Sequence, residues 1–480
     1  MRLHDALFDS TSLNADKTAI DICGGLSLSF AELDQRSTSV AQSLIAEGVA
    51  TGDRVGILSG HDAHALVLFW GILKASAVVV WLNEQIAVDS LCAVIRDAEP
   101  VMVFVKGEKL LQDLEDHGNG LTRLARLSEQ AISSPKAGST GAPLPDGNAE
   151  NLAAIVYTSG SGGTPKGVCL SHENLLAVVN SVIAHMPISS ADSYLMVVPI
   201  HYIHGMMQLL VHAVAGATVH FADSFVFPRK IVDLLRTTGA SGFSGVPYHF
   251  NALVRRGGFL DAQLPDLKWL TVTGGKLPRE QIAEIQRAMP DVAFHIAYGQ
   301  TECAPRATAL QPDRVRRKPD SVGAAIPGVD VLLFSDDGCE VARGEVGEVV
   351  VQGPNVMQGY WRDPEGTAQV LDSQGRLHTG DLGRFDEEGD LFLVGRKSAM
   401  IKSAGERIVP EELEKILTGH PAVADAVVVG VDDSLYGQRV VAHILLSREY
   451  HEADQERTIA DVRDHCLTQL PFVRAPREYH

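Results

Sequence analysis

Short apolar, β-branched runs alternate with amphipathic stretches through the first 330 residues of the chain. The runs at 54–58 and 77–82 are typical of buried strands, as are those at 101–105, 195–200 and 269–275. Between them, the stretches 30–48 and 279–290 place apolar residues at helical spacing. This alternation predicts layered α/β subdomains built on parallel sheets.

The pattern changes near residue 329, where short β-rich pieces with many turns begin. They predict a β-barrel-like subdomain, and after Gly395 a fresh helix and two strands predict a small α+β unit. We therefore predict an α/β fold with a large N-terminal domain, 1–395, and a small C-terminal domain, 396–480. Residues 132–150 are rich in Pro, Gly and Ser and predict an exposed connector.

Composition and charge narrow the class of protein. The 480 residues carry a formal net charge of −19, which argues against a nucleic-acid or anionic-membrane partner. Six scattered cysteines without a C-x-x-C pair indicate neither a zinc site nor a disulfide framework. The N-terminus lacks the features of a signal peptide. The apolar run 65–82 predicts a buried helix followed by a strand rather than a membrane span. We expect a soluble, cytoplasmic protein without a membrane partner.

The most informative segment is YTSGSGGTPKGV at 157–168. A strand that opens into a glycine- and hydroxyl-rich loop can direct backbone N–H groups, hydroxyls and the Lys166 ammonium at one anion, usually a polyphosphate. The alternative is a flexible linker, but such linkers rarely lie between two strongly apolar segments. Neither the Walker pattern nor the dinucleotide pattern fits, because Pro165 interrupts both.

This loop resembles the signature loop of the adenylate-forming enzymes, which comprise acyl-CoA synthetases, adenylation domains of peptide synthetases, and luciferases. Gly162 departs from the pattern, which usually has a hydroxyl there, so we expect one phosphate contact fewer. The resemblance implies an α/β enzyme that uses ATP and Mg²⁺. On this loop, it implies nucleotide contacts from Thr158, Ser159, Gly160, Ser161, Gly162, Gly163, Thr164 and Lys166.

Two further segments extend the resemblance over nearly the whole chain. AYGQTE at 297–302 is similar to the family segment in which a tyrosine stacks on adenine, a threonine meets the α-phosphate and a glutamate binds Mg²⁺. TGDLGRF and GRKS, at 379–385 and 395–398, are similar to the segment that binds the ribose and contains the hinge. These segments imply roles for Tyr298, Gly299, Thr301, Glu302, Asp381, Arg396 and the hinge residue Ser398, about which a small, mobile C-terminal domain would move. Gly405 would then lie beside the path of the phosphopantetheine arm.

The chemistry that the family performs asks for positioned donors rather than covalent help. A carboxylate attacks the α-phosphate of ATP and pyrophosphate leaves, so the protein must bring two anions together and stabilise the developing charge. The resemblance assigns catalytic contributions to Lys166, Thr301, Glu302 and His204.

The acyl pocket implied by the resemblance is built from 199–206, 242–250, 273–276 and 297–302. In the family members that the resemblance includes, enzymes that activate α-amino acids carry an aspartate in the first of these segments, where it pairs with the substrate ammonium. No residue of 199–211 is acidic, so the resemblance argues against an α-amino acid substrate. His204 either senses the substrate carboxylate, gates the pocket, or is a core imidazole tied to a backbone carbonyl, and the same alternatives hold for His201. The predicted pocket residues are His201, Tyr202, His204, Val246, Gly274 and Gly299, with Gly275 beside the nucleotide.

Two basic residues near this pocket have open roles. Arg306 either meets a second carboxylate or the triphosphate, or forms an ordinary surface or interface ion pair. Lys276 either contacts the nucleotide or is simply exposed.

The acceptor of the acyl group is left open by the sequence. The first hypothesis is a carboxylate–CoA ligase acting on a small carboxylic acid, and the second passes the acyl group to a carrier-protein thiol or an amine. A third is a nucleotide-binding protein without turnover, suggested by Gly162 and by the absence of any lysine after Lys415, where the family carries a C-terminal catalytic lysine. We expect that the sequence stops short of that lysine and that this chain forms the adenylate poorly.

Overall fold

The computed structural model describes most of the chain. The described residues are 1–11, 14–118, 120, 122–128, 143–159, 165–403, 406–433, 436–450, 455–470 and 474–480. Their Cα atoms group into two compact units, the first formed by 1–331 with 351–377 and the second by 332–350 with 378–480.

Helices and strands alternate along the first unit as the hydrophobic pattern predicts. In chain order, the described helices of the whole chain are α1 (Leu3–Thr11), α2 (Phe30–Ala46), α3 (Ala63–Lys74), α4 (Val88–Ala98), α5 (Glu108–Gly118), α6 (His172–His185), α7 (Ile203–Val214), α8 (Pro228–Thr238), α9 (Pro247–Ala252), α10 (Arg279–Ala288), α11 (Pro312–Val315), α12 (Pro364–Val370), α13 (Pro410–Thr418) and α14 (Gln455–Gln469).

The strands of the first half are β1 (Thr18–Ile22), β2 (Ser27–Ser29), β3 (Arg54–Leu58), β4 (Val78–Leu82), β5 (Met102–Val105), β6 (Arg123–Arg126), β7 (Leu152–Ser159), β8 (Pro165–Ser171), β9 (Ser193–Met196), β10 (Thr218–Phe221), β11 (Gly242–Gly245) and β12 (Trp269–Val272). Those that follow are β13 (Ala293–Tyr298), β14 (Thr308–Leu310), β15 (Ala324–Ala325), β16 (Asp330–Phe334), β17 (Gly347–Gln352), β18 (Gly359–Tyr360), β19 (Leu377–Phe385), β20 (Leu391–Arg396), β21 (Ile401–Ser403), β22 (Glu406–Ile408), β23 (Val423–Asp433), β24 (Gly437–Leu446) and β25 (Glu478–Tyr479).

Two largely parallel sheets form the first unit. Among the described strands, one sheet has the order β15-β14-β13-β12-β11-β9-β10-β1-β2 and the other the order β18-β8-β7-β4-β3-β5-β6. The central strands of both are parallel, and in the second sheet β7 continues parallel to β4 whereas β8 runs antiparallel to β7 and β18. The predicted α/β fold class is therefore confirmed.

One face of the first sheet is apolar. Leu195, Phe243 and Phe294 project from neighbouring strands into a buried cluster that also contains Ile231 from α8 and Ile282 from α10. Because side chains alternate along a strand, the opposite face carries a different set of residues. That face bears Tyr194, Ser244, Thr271 and His295.

One predicted strand lies further along the chain than the observed one. The apolar run at 195–200 predicts a strand, but β9 ends at Met196. Pro199 cannot donate to a sheet ladder, so the run leaves the sheet before it. Its side chains at Val197, Val198 and Ile200 are nevertheless buried, which explains the hydrophobic signal.

The second unit contains two sheets. The β-rich segment predicted after residue 329 forms the sheet β16-β17-β19-β20, and the C-terminal strands form β22-β21-β24-β23 with β25 beside β24. A cluster of buried residues that includes Ile408, Leu413, Val428 and Val462 joins the second sheet to α13 and α14. The domain boundary at 395/396 stays a prediction.

Candidate active site

The predicted phosphate loop joins two antiparallel strands. In this hairpin, Thr158 of β7 pairs with Lys166 of β8. The predicted contacts Gly160, Ser161, Gly162, Gly163 and Thr164 lie outside the described residues, as does the side chain of Ser159. The hairpin thus fixes the position of Lys166 at one end of the loop.

Lys166 and Glu302, predicted from segments far apart in sequence, both contact one tyrosine, Tyr360. The Lys166 ammonium lies 4.6 Å from the centroid of the Tyr360 ring. The Tyr360 hydroxyl donates a hydrogen bond of 2.8 Å to Glu302 Oε1. A cation over an aromatic face is attracted by the ring quadrupole, and a phenol that donates to a carboxylate fixes the direction of that carboxylate.

Tyr360 occupies this position because β18 is the edge strand beside β8. It pairs with Val168, two residues beyond Lys166, and its backbone N–H donates to Thr367 Oγ1 at 2.9 Å. Burial, together with the negative charge of Glu302, raises the pKa of Tyr360, so the phenol stays protonated and remains a donor. Sequence reasoning missed this residue, since only the pairing of β18 with β8 reveals it.

The loop that carries Thr301 and Glu302 is tightly closed. A Cβ at Gly299 would stand 2.1 Å from the carbonyl oxygen of Pro305, so only glycine permits this approach. The buried Asn355 amide donates to the carbonyl oxygens of Cys303, at 3.2 Å, and Arg306, at 3.0 Å. Tyr298, at the end of β13, leads into this loop.

Two predicted pocket segments lie against each other. Gly274 has φ +73°, and a Cβ there would meet Val246 Cγ1 at 3.2 Å. A Cβ at Gly275 would meet Pro247 Cγ at 3.1 Å. The double-glycine turn therefore packs on the start of α9, which brings the segments 242–250 and 273–276 together as predicted.

The histidines before and in α7 are neutral groups. Burial lowers the pKa of His201 to about 4, and burial with the charge of Arg306 lowers that of His204 to about 3. His204 Nε2 lies 2.7 Å from Ser244 Oγ, so it contacts the predicted pocket segment 242–250. Tyr202 stacks obliquely on His201 and is 53% exposed. At neutral pH, His204 can therefore act as a hydrogen-bonding group but not as a cation.

Arg306 and Lys276 have opposite surroundings. Lys276 is exposed and pairs with Asp320 at 2.8 Å, which favours the exposed alternative over a nucleotide contact. Arg306 is buried, and burial lowers its pKa to about 10. The surface ion pair considered for Arg306 is therefore wrong, because its side chain is removed from the surface.

The two predicted ribose-binding residues are paired within the second unit. Asp381 of β19 is opposite Arg396 of β20, and Arg396 Nε lies 2.7 Å from Asp381 Oδ1. Asp381 is buried, whereas the Arg396 side chain is largely exposed. Ser398 follows on an exposed helical turn, and its hinge role stays a prediction. Gly405 lies outside the described residues.

The donor set fits the groups that the resemblance implies. Glu302 uses Oε1 for Tyr360, and Oε2 accepts no hydrogen bond from the described residues, so it is available to a hard cation such as Mg²⁺. Within the described ranges, no cluster of three or more His, Cys, Asp or Glu side chains could hold a metal ion. Magnesium that is held through one carboxylate, nucleotide phosphates and water does not need such a cluster.

No helix in the described part of the chain has both the length and the apolar character needed to cross a bilayer.

Comparison with known proteins places these features in a family. The family described as AMP-binding enzyme matches residues 7–361, and its C-terminal domain matches 412–480. A feruloyl-CoA synthase from Amycolatopsis sp. is 34% identical over 460 residues, which cover 95% of this chain and 90% of that protein. The fatty acid–[acyl-carrier-protein] ligase ScoC from Streptomyces coeruleorubidus is 29% identical over 495 residues, with 100% of this chain and 93% of that protein covered.

Among solved structures, ATP-bound MatB from Rhodopseudomonas palustris superposes with a TM-score of 0.88 at 28% identity. The match covers 100% of this chain and 94% of that one. The family matches together span most of the sequence, and the feruloyl-CoA synthase exceeds 30% identity over nearly all of it. The chain therefore belongs to the AMP-binding enzyme family and is an adenylate-forming ligase.

Proposed function

We propose that this chain activates a small carboxylic acid as its acyl-adenylate, with release of pyrophosphate, and then transfers the acyl group to CoA. The observation that carries the proposal is the placement of Lys166 and Glu302 on either side of Tyr360. A cation and a directed carboxylate at one place are what an ATP phosphate chain and its magnesium require.

Each remaining residue has a proposed task. Lys166 and the hydroxyls of the loop bind the phosphates, Thr301 meets the α-phosphate, and Glu302 binds Mg²⁺. Asp381 and Arg396 bind the ribose, and Tyr298, Gly299 and Gly275 lie beside the nucleotide. Bound Mg²⁺ supplies neutralisation of phosphate charge.

His204 has a proposed task in orienting the acid. Its imidazole is neutral, since its pKa is about 3, and Ser244 occupies one nitrogen. A neutral imidazole can position a substrate carboxylate by hydrogen bonding without neutralising it. The attacking carboxylate then keeps its negative charge, which it needs as a nucleophile.

CoA is the proposed acceptor because a relative that is 34% identical to this chain is named as a feruloyl-CoA synthase. A carrier-protein thiol is the second candidate, because ScoC is named as an acyl-carrier-protein ligase and is covered over 93% of its length. An amine acceptor is distinguished from both in the same experiment.

The test measures pyrophosphate release from ATP for a panel of carboxylic acids, followed by addition of CoA, a phosphopantetheinylated carrier protein, or amines. We expect acid-dependent pyrophosphate release and an acyl-CoA product. Glu302→Gln should lower release at least about tenfold, because a charged hydrogen bond and a metal ligand are lost. The exposed Glu280→Gln on α10 is the matched control and should retain activity.

Two results would contradict the proposal. Nucleotide binding without pyrophosphate release for any acid would support the non-catalytic alternative. Acid-dependent release with transfer only to a carrier protein or an amine would reject CoA as the acceptor and retain the adenylation.

A further inference from the structure

A row of polar side chains crosses the face of the first sheet that is opposite its apolar core. Ser244, Thr271 and His295 are register partners on β11, β12 and β13, and each is at least 97% buried. Tyr194 on β9 lies on the same face. Buried hydroxyl and imidazole groups lower stability unless they find partners, so a polar row inside a core requires an explanation.

Arg306 adds a positive charge to this polar region. It is close enough to Tyr194, His204 and His295 to interact with them electrostatically. Within the described ranges, the one hydrogen-bonding contact of its side chain is a weak one, from Nη1 to the sulfur of Met186 at 3.7 Å. Among the described residues, no carboxylate lies within ion-pair distance of this guanidinium.

The surrounding imidazoles also have unused hydrogen-bonding atoms. In the described part of the chain, His204 Nδ1, His185 Nε2 and both ring nitrogens of His295 are buried without a hydrogen-bond partner. Burial keeps these imidazoles neutral, with pKa values of about 3 to 4. A neutral imidazole has one N–H donor, so the region offers a cation and several donors but no anion.

The backbone that carries Arg306 is held in place. Asn355 donates to the Arg306 carbonyl oxygen, and the close approach of Gly299 to Pro305 fixes the loop before it. Because the Arg306 side chain is also buried, it has little conformational freedom left to lose when it binds a ligand. An uncompensated buried cation is costly, and that cost is relieved when an anion pairs with it.

This polar region overlaps the predicted acyl pocket. His204 and Ser244 belong to two of the segments that the pocket comprises, and the loop of Arg306 continues a third. We propose that Arg306 binds a second carboxylate of the substrate, so that the enzyme activates dicarboxylic acids. A planar guanidinium pairs with a carboxylate through two parallel hydrogen bonds, and the imidazoles of His185 and His295 complete the site, which leaves His204 to the reacting carboxylate. The inference rests on the proposed function and names its substrate class.

The test compares dicarboxylic acids, aliphatic and aromatic and of increasing length, with their own monomethyl esters. Each ester keeps the reacting carboxylate and the size of the acid but removes the second charge. We expect kcat/KM for pyrophosphate release to favour the best diacid over its ester by about tenfold to a hundredfold, as for one charged hydrogen-bonded contact.

The variants separate charge from folding. Arg306→Met should bring the diacid-to-ester ratio close to unity, whereas Arg306→Lys should retain part of the preference. The exposed Arg287→Met on α10 is the control and should leave the ratio unchanged. If Arg306→Met does not fold, the wild-type ratio and the Arg306→Lys ratio still decide the question. The thermal stabilisation of each protein by diacid alone provides a readout that does not depend on turnover.

Outcomes against this inference differ from outcomes against the proposed function. Efficient activation of monocarboxylic acids, with no diacid preferred over its ester, would overturn the role of Arg306 and leave the ligase proposal standing. A diacid preference that Arg306→Met leaves intact would also overturn it. Absence of pyrophosphate release for every acid and ester would count against the proposed function itself.

Discussion

Tyr360 contacts both charged residues of the candidate ATP site, one through its ring and the other through its hydroxyl. Its ring faces the Lys166 ammonium and its hydroxyl binds Glu302 Oε1. Substitution can separate these contacts, because phenylalanine keeps the ring and removes only the hydroxyl. The contribution of each contact is therefore measurable at a single position.

We expect Tyr360→Phe to lower kcat/KM for ATP by about tenfold to a hundredfold, because one hydrogen bond to a charged carboxylate is worth about 1.5–3 kcal/mol. Tyr360→Leu should lower it further, by about another twofold to fivefold, since the cation–π contact is lost as well. Steady-state pyrophosphate release at varied ATP and Mg²⁺ measures both. Tyr450→Phe is a control outside the site, and equal kinetics for Tyr360→Phe and wild type would contradict the role of the hydroxyl.

At the scale of elements, two buried asparagines hold the segment 353–357 in place. The Asn174 amide donates to the carbonyl oxygens of Pro354 and Val356, each at 2.8 Å. Asn355 donates in turn to Cys303 and Arg306. The segment therefore links the start of α6 to the loop that carries Glu302.

We expect Asn355→Ala to lower the free energy of unfolding by about 1–3 kcal/mol, because it leaves two buried carbonyl oxygens without their donor. Activity should fall even where the protein is folded, since the loop of Thr301 and Glu302 loses its support. Chemical denaturation and pyrophosphate release measure the two effects. Asn251→Ala, at an exposed position of α9, is the matched control, and equal stability of both variants would contradict this role.

The elements also show what could be predicted from sequence. The strand at 54–58 and the helix that starts at Phe30 were predictable, because hydrophobic periodicity and a capping serine are local signals. The motifs likewise predicted Asp381 and Arg396, which the structure pairs. Tyr360 and Asn355 escaped prediction, because their partners lie about 50 residues or more away, and the position of Tyr360 also depends on the register of an edge strand.

At the scale of the whole molecule, buried histidines make stability depend on pH. Burial lowers the pKa of each of these imidazoles below 6.5 in the folded first unit, to about 3 or 4 for most of them, while the unfolded chain takes up protons near 6.5. Their stabilising contribution is therefore complete above pH 6.5 and is lost as the pH falls. The imidazoles concerned are His4, His61, His172, His185, His201, His204, His212, His249 and His295.

We expect the free energy of unfolding of the first unit to fall between pH 6.5 and 5, with each imidazole whose folded pKa is about 3 or 4 contributing at most about 1.4 kcal/mol per pH unit. His212→Gln should be less stable at pH 7 but should show a smaller slope, by the contribution of one imidazole. Denaturant titrations at pH 7, 6 and 5 measure the slope. Exposed His117→Gln should keep the wild-type slope, and an unchanged slope in His212→Gln would contradict the assignment.

The order in which the chain builds its two units has a consequence for synthesis. The chain leaves the first unit at residue 332, forms part of the second, and returns at 351–377 before completing the second. Tyr360 lies in that returning segment, so the candidate ATP site is incomplete until the ribosome has already begun the second unit. A fragment that ends before the return would contain Lys166 and Glu302 without the residue that joins them. The nascent protein should therefore complete its nucleotide site only after the segment 351–377 has been synthesised.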